Sequence, residues 1–435
     1  TYLGIDSTYY TFLFRPCCKY SKNDKLDKVF CLTIFFTMWF DFLKKKEEKK
    51  KEIRYILTID GGGMRGIVPS SILKKMNEEL KKLTNRPLYS YFDLIAGTST
   101  GALLALGLTS PIEGTSFEKE KGENVEVTKT YTRGRVFKKN YTESLGYIEK
   151  LSDVDNFLSL YKDNGKRIFL QRETKGLFKL FDKVSRIFTD KYDAVPYEEF
   201  LQEMYGETPL DSLLVPTMAV AFNTKGCTPY IFRSWDSHGY LVREAARASS
   251  AAPTYFAPAH FIDRETDEEL TLLDGGLAAN NPILCAYIEA RKLYPDADEY
   301  RIISLSTASK PLTIAPEEFS SNIDWMGPLL SAYGMGNMNI TQLAAEAIDG
   351  VRVLRVWEDV IDKQYSLDDT SLVAIKSLED AATKIWSIEE EKIKAFIKEM
   401  VEEDRLPDKL KLQKTRDVPL LEDEKATLEE KEPSL

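Results

Sequence analysis

Residues 55–66, YILTIDGGGMRG, and residues 91–108, YFDLIAGTSTGALLALGL, decide the fold class of this chain. Both begin on a run of aliphatic and aromatic residues with strand character, break at a glycine-rich turn and continue into a helical pattern. In the first, Tyr55–Ile59 reads as a strand and Asp60–Gly66 as a loop. The helix that follows carries Ile72, Leu73, Met76, Leu80 and Leu83 on one apolar face, with Pro69 in its first turn, where a missing amide has no helical partner to lose. In the second, a strand through Phe92–Ala96 turns sharply at Gly97–Gly101 and feeds the small-residue helix Ala102–Leu108. Successive strand–turn–helix units pack as parallel strands joined by crossover helices.

The same alternation continues outward. Strands are expected at Leu213–Phe222, Tyr230–Arg233, Leu270–Leu273 and Arg301–Leu305, with a helix at Val242–Ser249. The chain therefore divides into an atypical segment 1–50, an α/β catalytic domain 51–310, a helical part 311–405 of the same domain, and a charged, proline-punctuated tail 406–435 expected to be disordered. Ser371–Glu402 carries the helical period of the third part. Between about 111 and 190 the domain is interrupted by a polar, irregular stretch that includes KEKGENVEVTKTYTRGR (119–135), read as an insertion or lid. The segment 1–50 holds the apolar run VFCLTIFFTMWF (29–40) before the basic run Lys44–Lys51; a dozen residues fall short of the about 20 needed to cross a bilayer. It admits three readings: a signal-like apolar core, an interfacial membrane anchor, or the product of a misassigned gene start.

A net charge of -10 gives no basis for nucleic-acid binding, which needs a concentrated basic surface. The five cysteines have no C-x-x-C spacing, so neither a disulfide framework nor a zinc site is suggested. Only two histidines exist, His238 and His260. Any mechanism that needs a histidine has no other candidate.

Gly97-Thr98-Ser99-Thr100-Gly101 is a G-x-S-x-G between a strand and a helix, the setting in which a strained turn lifts a serine hydroxyl clear of the backbone. The helix behind it points its positive end at Ser99. Asp60–Gly66 also satisfies G-x-G-x-x-G, but a dinucleotide site wants an acidic residue at the end of the next strand, and Glu78 and Glu79 lie on the helix instead. A glycine loop beside a serine elbow serves better as an oxyanion hole, with Gly62 and Gly63 the best donors. Arg65 suits neutralising a phosphate or bracing the loop through backbone carbonyls, and equally well a plain surface or structural role. Asp274-Gly275-Gly276 puts a carboxylate at the end of the strand Leu270–Leu273, with Asn280, Asn281 and Pro282 opening a helix. Alone it would be a turn. Both histidines precede Asp274, out of the Ser, Asp, His order of α/β hydrolases, so the economical reading is a dyad: Ser99 as nucleophile and Asp274 as its base.

At these motifs, DGGGMRG, GTSTG and DGG, the sequence resembles the patatin-like phospholipase family, whose pattern is D-G-G-G-x-[KR]-G, G-x-S-x-G and D-G-[GA] in that order. The likeness runs on through LVPTMAVAFNT (214–224), REAARASSAAPTYF (243–256) and LLDGGLAANNP (272–282), and so spans about Arg54 to Ser309. It implies three layers, a central, mostly parallel sheet flanked by helices. It also implies a serine-aspartate lipid acyl hydrolase with its oxyanion hole at Gly61, Gly62, Gly63, Met64, Arg65 and Gly66, acting on phospholipid or galactolipid esters at a membrane or micelle surface, with no metal or other cofactor. The nearest likeness is to plant patatins and their bacterial relatives; no ankyrin repeat or calcium-binding domain points to the larger phospholipases. A cytoplasmic or peripherally membrane-associated location goes with such a substrate. The first fifty residues and the polar stretch 113–135 depart from the pattern.

An acyl chain drawn from a membrane needs an apolar groove. Within the insertion Phe157, Phe169, Phe178, Phe181 and Phe188 are candidates to line it, against the plainer role of core packing. Two alternatives stand beside the lipid hydrolase. The motifs define acyl transfer and not the leaving group, which admits a general carboxylesterase or thioesterase, and a non-catalytic lipid-binding member of the fold would keep the shape without turnover.

Overall fold

The computed structural model describes residues 51–84, 86–111, 157–169, 191–308, 310, 326–363 and 365–403. Expectations for 1–50, for most of the insertion, including Phe178, Phe181 and Phe188, and for the tail 406–435 lie outside the described residues. The secondary structure belongs to the packing unit that starts at Ile53. In chain order its elements are β1 (Ile53–Ile59), α1 (Ile67–Lys81), β2 (Leu94–Thr98), α2 (Thr100–Thr109), α3 (Phe157–Ile168), α4 (Ala194–Tyr205), β3 (Thr217–Asn223), β4 (Thr228–Arg233), α5 (Val242–Ser249), β5 (Ala259–Ile262), β6 (Glu269–Asp274), the single turn α6 (Gly276–Ala279), α7 (Ile283–Leu293), β7 (Glu299–Leu305), α8 (Met326–Glu346), β8 (Val351–Val356) and α9 (Leu372–Glu402).

The strands form one mixed sheet in the order β5-β6-β3-β2-β1-β7-β8, with β4 on the remaining edge of β3. The centre, β3-β2-β1-β7-β8, is parallel throughout, while β4, β5 and β6 run antiparallel to their neighbours. Side chains of a strand alternate between faces, and both faces here are covered. Ile53, Tyr55, Leu57 and Ile59 of β1 and Ile95 of β2 enter the larger core, with α1, α2, α4, α5 and α9. Ile56, Leu94, Ala96, Met218 and Ile302 enter the second core, against Ile283, Ala286 and Ala290 of α7 and Ala345 of α8. The result is the expected three-layer α/β architecture, which is why the central strands read as unbroken apolar runs.

Three details differ from the sequence reading. Leu83, expected on the apolar face of α1, falls beyond the helix end at Lys81 and is 53% exposed. β3 starts at Thr217 and not Leu213, because Pro216 has no amide for the ladder. The stretch after Leu305, read as helical, also contributes β8, which pairs in parallel with β7 from Tyr300↔Val351 to Leu305↔Val356. The long helix behaves as expected: the Ser371 hydroxyl caps α9 by accepting from the Ala374 amide at 3.2 Å, and Leu378, Ile385, Ile393 and Phe396 are buried in the larger core.

One register detail positions the site. β3 gives one edge to β4 over Met218–Asn223. Its other edge is divided, with Thr217–Val220 paired to Ile95–Thr98 of β2 and Ala221–Asn223 paired to Asp274–Leu272 of β6. β2 ends at Thr98, opposite Val220; the next position along that lane, opposite Ala221, is Asp274. The strand end that turns away at Ser99 is met head-on by the strand end carrying Asp274. Gly275 sits in this junction, and a Cβ there would be driven into the Val220 carbonyl, with its carbon only 2.6 Å away. Gly275→Ala is therefore expected to lower stability by about 1–3 kcal/mol, read as a lower denaturant midpoint at unchanged slope; an unmoved midpoint would contradict the packing described.

Candidate active site

Ser99 follows the last residue of β2 and caps α2 with φ 54° and ψ −122°, a left-handed conformation that a non-glycine residue holds only under tertiary constraint. The constraint comes from both sides of the turn. Gly101 lies so close to β1 that a Cβ there would strike the carbonyls of Ile59 and Asp60, and Gly97 is equally close to the Gly101 backbone. The Thr98 hydroxyl donates to the Ala279 carbonyl at 2.7 Å. The Ser99 amide donates to Ser249 Oγ at 2.9 Å, and that hydroxyl donates to the Val220 carbonyl at 2.5 Å. Sequence reasoning does not single out Ser249 as a site residue; it lies inside the quoted REAARASSAAP run, but nothing in a serine on a helix end announces its partner.

The Ser99 hydroxyl donates to Asp274 Oδ2 at 2.6 Å. The other carboxylate oxygen accepts from the Gly276 amide at 2.7 Å, and the Asp274 amide donates to the Ala251 carbonyl at 2.9 Å. Asp274 is 7% exposed. Burial pushes its pKa from 3.8 up to about 6, against the opposing pull of the bonds from Ser99 and Gly276. Both of those donors are neutral. A carboxylate of that basicity is ionised at neutral pH and still a better proton acceptor than an exposed aspartate.

The glycine loop runs beside this pair, and much of its main chain is committed. The Gly61 amide donates to the Asn280 carbonyl at 3.0 Å, that of Met64 to the Leu367 carbonyl at 2.8 Å, and that of Arg65 to the Gly62 carbonyl at 3.1 Å. Gly63 takes φ +56°, which suits glycine. Among the described residues no hydrogen bond engages the amides of Gly62 and Gly63. Arg65 is buried, its Nε donating to the Gly62 carbonyl at 3.3 Å. Burial pulls its pKa down to about 10, and it stays charged. Gly66 ends the loop against the hydroxyls of Thr100 and Tyr161, which hydrogen-bond each other.

Ser99 opens onto a pocket of about 520 Å³, counting the space that reaches solvent, whose walls include Leu103, Tyr161, Ile168, Phe169, Tyr197 and Phe256. Its polar groups are largely paired off: Tyr197 and Ser250 hydroxyls lie 2.5 Å apart. Of the two roles open to them, Phe169 takes the pocket wall and Phe157 the core packing. Neither histidine lines this pocket. His238 sits with Nε2 3.2 Å from Asp236 Oδ1, and His260 lies on β5, its Nδ1 3.2 Å from Thr271 Oγ1. Among the described residues no group of three or more His, Cys, Asp or Glu side chains could hold a metal ion.

A family model described as patatin-like phospholipase matches residues 57–287. The chain belongs to the patatin-like phospholipase family. It is 32% identical over 256 residues to patatin-like protein 2 of Oryza sativa subsp. indica, covering 56% of this chain and 54% of that protein. It is 28% identical over 359 residues to patatin-like protein 2 of Arabidopsis thaliana, covering 73% and 79%. To the calcium-independent phospholipase A2-gamma of Oryctolagus cuniculus it is 32% identical over 271 residues, 58% of this chain and 28% of that protein. The chain thus spans about half the length of the rice relative. The patatin-like match takes in all three motifs and stops before Leu367, whose carbonyl holds the glycine loop.

The buried Asp274 carboxylate has a stability consequence. Its pKa is about 6 in the folded chain and near 3.8 when exposed, so its charged form costs about 3 kcal/mol. The cost is absent below pH 4, sets in between 4 and 6, and is complete above 6. Asp274→Asn, which keeps the shape and the bond from Gly276, is expected to raise Tm at pH 8 and to lose that advantage by pH 4. A Tm difference independent of pH would rule out burial as the cause.

Proposed function

We propose that this chain is a lipid acyl hydrolase that cleaves carboxylic esters of membrane lipids, with Ser99 as nucleophile and Asp274 as its base. The single observation that carries this is the 2.6 Å bond from Ser99 Oγ to the buried Asp274 at the mouth of an apolar pocket. As Oγ attacks the ester carbonyl, its proton passes to Asp274 Oδ2, and the carbonyl oxygen gains negative charge. The unengaged amides of Gly62 and Gly63 and the positive end of α2 face that charge. Collapse expels the alcohol, which takes the proton from Asp274, and leaves the acyl group on Ser99. Water, deprotonated by Asp274, then releases the fatty acid and restores the hydroxyl.

Membership of the patatin-like phospholipase family and the likeness to a calcium-independent phospholipase A2 support a phospholipid or galactolipid substrate taken from a membrane or micelle surface, and chemistry that needs no metal. A cytoplasmic or peripherally membrane-associated location goes with that substrate; among the described residues no helix is long and apolar enough to cross a membrane. The oxyanion loop is Gly61–Gly66, of which Gly62 and Gly63 supply the donors while Gly61, Met64, Arg65 and Gly66 hold the loop in shape. Gly97, Thr98, Thr100 and Gly101 form the elbow, and Gly275 and Gly276 the turn that presents Asp274.

The test uses the full chain in chelator with phospholipid, galactolipid, triacylglycerol and a soluble short-chain ester. Ser99→Ala and Asp274→Asn are expected to lose activity by at least about 10³-fold, and the wild-type rate to rise with pH through about 6 and level off as Asp274 ionises. Full activity in either variant would sink the dyad. Turnover of the soluble ester alone would make the protein a carboxylesterase, no turnover at all would favour a lipid-binding role, and loss of activity in chelator would contradict metal-free chemistry.

A further inference from the structure

Beside the bonds from Asn280 and Arg65, the oxyanion loop is fastened by residues outside the region that matches the patatin-like family. Asp60, which opens the loop, is 0% exposed, and its carboxylate takes both prongs of the Arg355 guanidinium on β8: Nη1 donates to Oδ1 at 2.9 Å and Nη2 to Oδ2. The same Nη1 donates to Ser304 Oγ at 2.7 Å, so the arginine is set by β7 as well. The Gly61 carbonyl accepts from Thr307 Oγ1 at 2.8 Å. The Met64 amide donates to the Leu367 carbonyl at 2.8 Å. That carbonyl occupies the space any side chain on Gly63 would need. Leu367 is itself steadied through its neighbour: the half-buried Asp368 carboxylate accepts from Lys191 Nζ, Tyr192 OH and Ser366 Oγ. Arg355, Thr307 and Leu367 all lie beyond residue 287, where the family match ends.

These bonds bracket the two unengaged amides. Asp60 and Gly61 are fixed on one side of Gly62 and Gly63, and Met64 on the other. Glycine has no side chain to hold a peptide plane, so the Gly62 N–H is aimed by the bond on the Gly61 carbonyl and the Gly63 N–H by those of Arg65 on the Gly62 carbonyl, within a stretch whose ends Asp60 and Met64 fix. An oxyanion donor acts only if it is aimed before the charge develops.

We propose that Arg355 and the Leu367–Asp368 turn are positioning residues of the oxyanion hole, aiming the Gly62 and Gly63 amides by pinning Asp60 and Met64 on either side of them. The active site is then completed by β8 and the loop after it, a part of the chain the family motifs do not include. This role rests on Ser99 being the nucleophile, as set out under Proposed function.

The test compares full-length Arg355→Lys, which keeps a positive charge beside Asp60 but loses the two-pronged geometry, and Asp368→Ala, which frees the turn from Lys191 and Tyr192. Each is assayed on a soluble ester for kcat and KM, for affinity toward a trifluoromethyl ketone that forms a tetrahedral adduct, for binding of a free fatty acid, and for hydrogen exchange at the Met64 amide. If Asp368→Ala does not fold, Asp368→Asn and Tyr192→Phe, each removing part of the same anchorage, take its place. The expected result is a kcat lower by about tenfold to a hundredfold at nearly unchanged KM. Ketone affinity should fall in the same ratio, fatty acid binding should be unaltered, and Met64 exchange should be faster in Asp368→Ala. Unchanged Met64 exchange would overturn the proposal, as would faster exchange with kcat within twofold of wild type, or a loss of fatty acid binding in step with kcat. A wild type that turns over no ester defeats the reading of Ser99 instead. An active wild type with inactive Ser99→Ala and unaffected clamp variants defeats only the clamp.

Discussion

Along one edge of β3 the neighbouring lane passes from parallel β2 to antiparallel β6 between Val220 and Ala221, and the geometry of the site depends on that change of partner. A strand that ends inside a sheet leaves main-chain groups that must find partners. Here the groups left beyond Thr98 are taken up by the end of β6 and by Ser249, whose hydroxyl links the Ser99 amide to the Val220 carbonyl. Two residues 175 positions apart in sequence are brought to 2.6 Å by the same ladder that holds the sheet together. Parallel strands run their carboxyl ends to one edge, so the loops after β1 and β2 are already side by side there. The antiparallel β6 arrives from the opposite direction and ends at the same edge.

The carboxylates at this edge differ in their company. Asp60 is tied to Arg355 by a two-pronged ion pair, a structural arrangement in which charge is matched inside the core. Among the described residues the Asp274 carboxylate accepts only from the Ser99 hydroxyl and the Gly276 amide, both neutral, and burial drives its affinity for a proton upward. Burial raises the pKa of Asp60 as well, against the pull of Arg355, so the partner, a guanidinium across both oxygens of one and a serine hydroxyl on the other, separates a carboxylate that holds a loop from one placed to accept a proton from Ser99. It also explains how a chain with two histidines, both placed away from the serine pocket, can be read as an acyl-transfer enzyme. A desolvated aspartate supplies basicity near neutral pH that an exposed one lacks.

The pocket beyond the serine follows the same logic. Tyr161 and Tyr197 carry hydroxyls into a wall that is otherwise aliphatic and aromatic, but each hydroxyl bonds a hydroxyl of Thr100 or Ser250. Paired in this way, the polar atoms leave an apolar surface suited to hydrocarbon. α3 brings Tyr161 and Ile168 to that wall, so an insertion between α2 and α4 is part of the pocket as well as a connection.

Local pattern makes a large part of this legible. Glycine turns after apolar runs mark β1 and β2, the 3.6-residue period marks α1 and α9, and the three ordered motifs point to Ser99, the glycine loop and Asp274, because each is a property of neighbouring residues. The helix α5 is legible at Val242–Ser249 for the same reason. β8 is not: in VRVLRV the alternation breaks at Val353-Leu354 and the run is six residues long, and its pairing with β7 is what places it in the sheet. Ser249, Thr307, Arg355 and Leu367 are also invisible, because a serine, a threonine, an arginine or a main-chain carbonyl carries no local sign of a partner tens or hundreds of residues away. What the sequence determined by itself was the fold class, the family resemblance and the side chains proposed to carry the chemistry. Only the tertiary structure decided which loop amides stay open, why Asp274 is basic and what holds the glycine loop, since hydrogen-bond partnership and desolvation depend on distances in space that chain order does not contain.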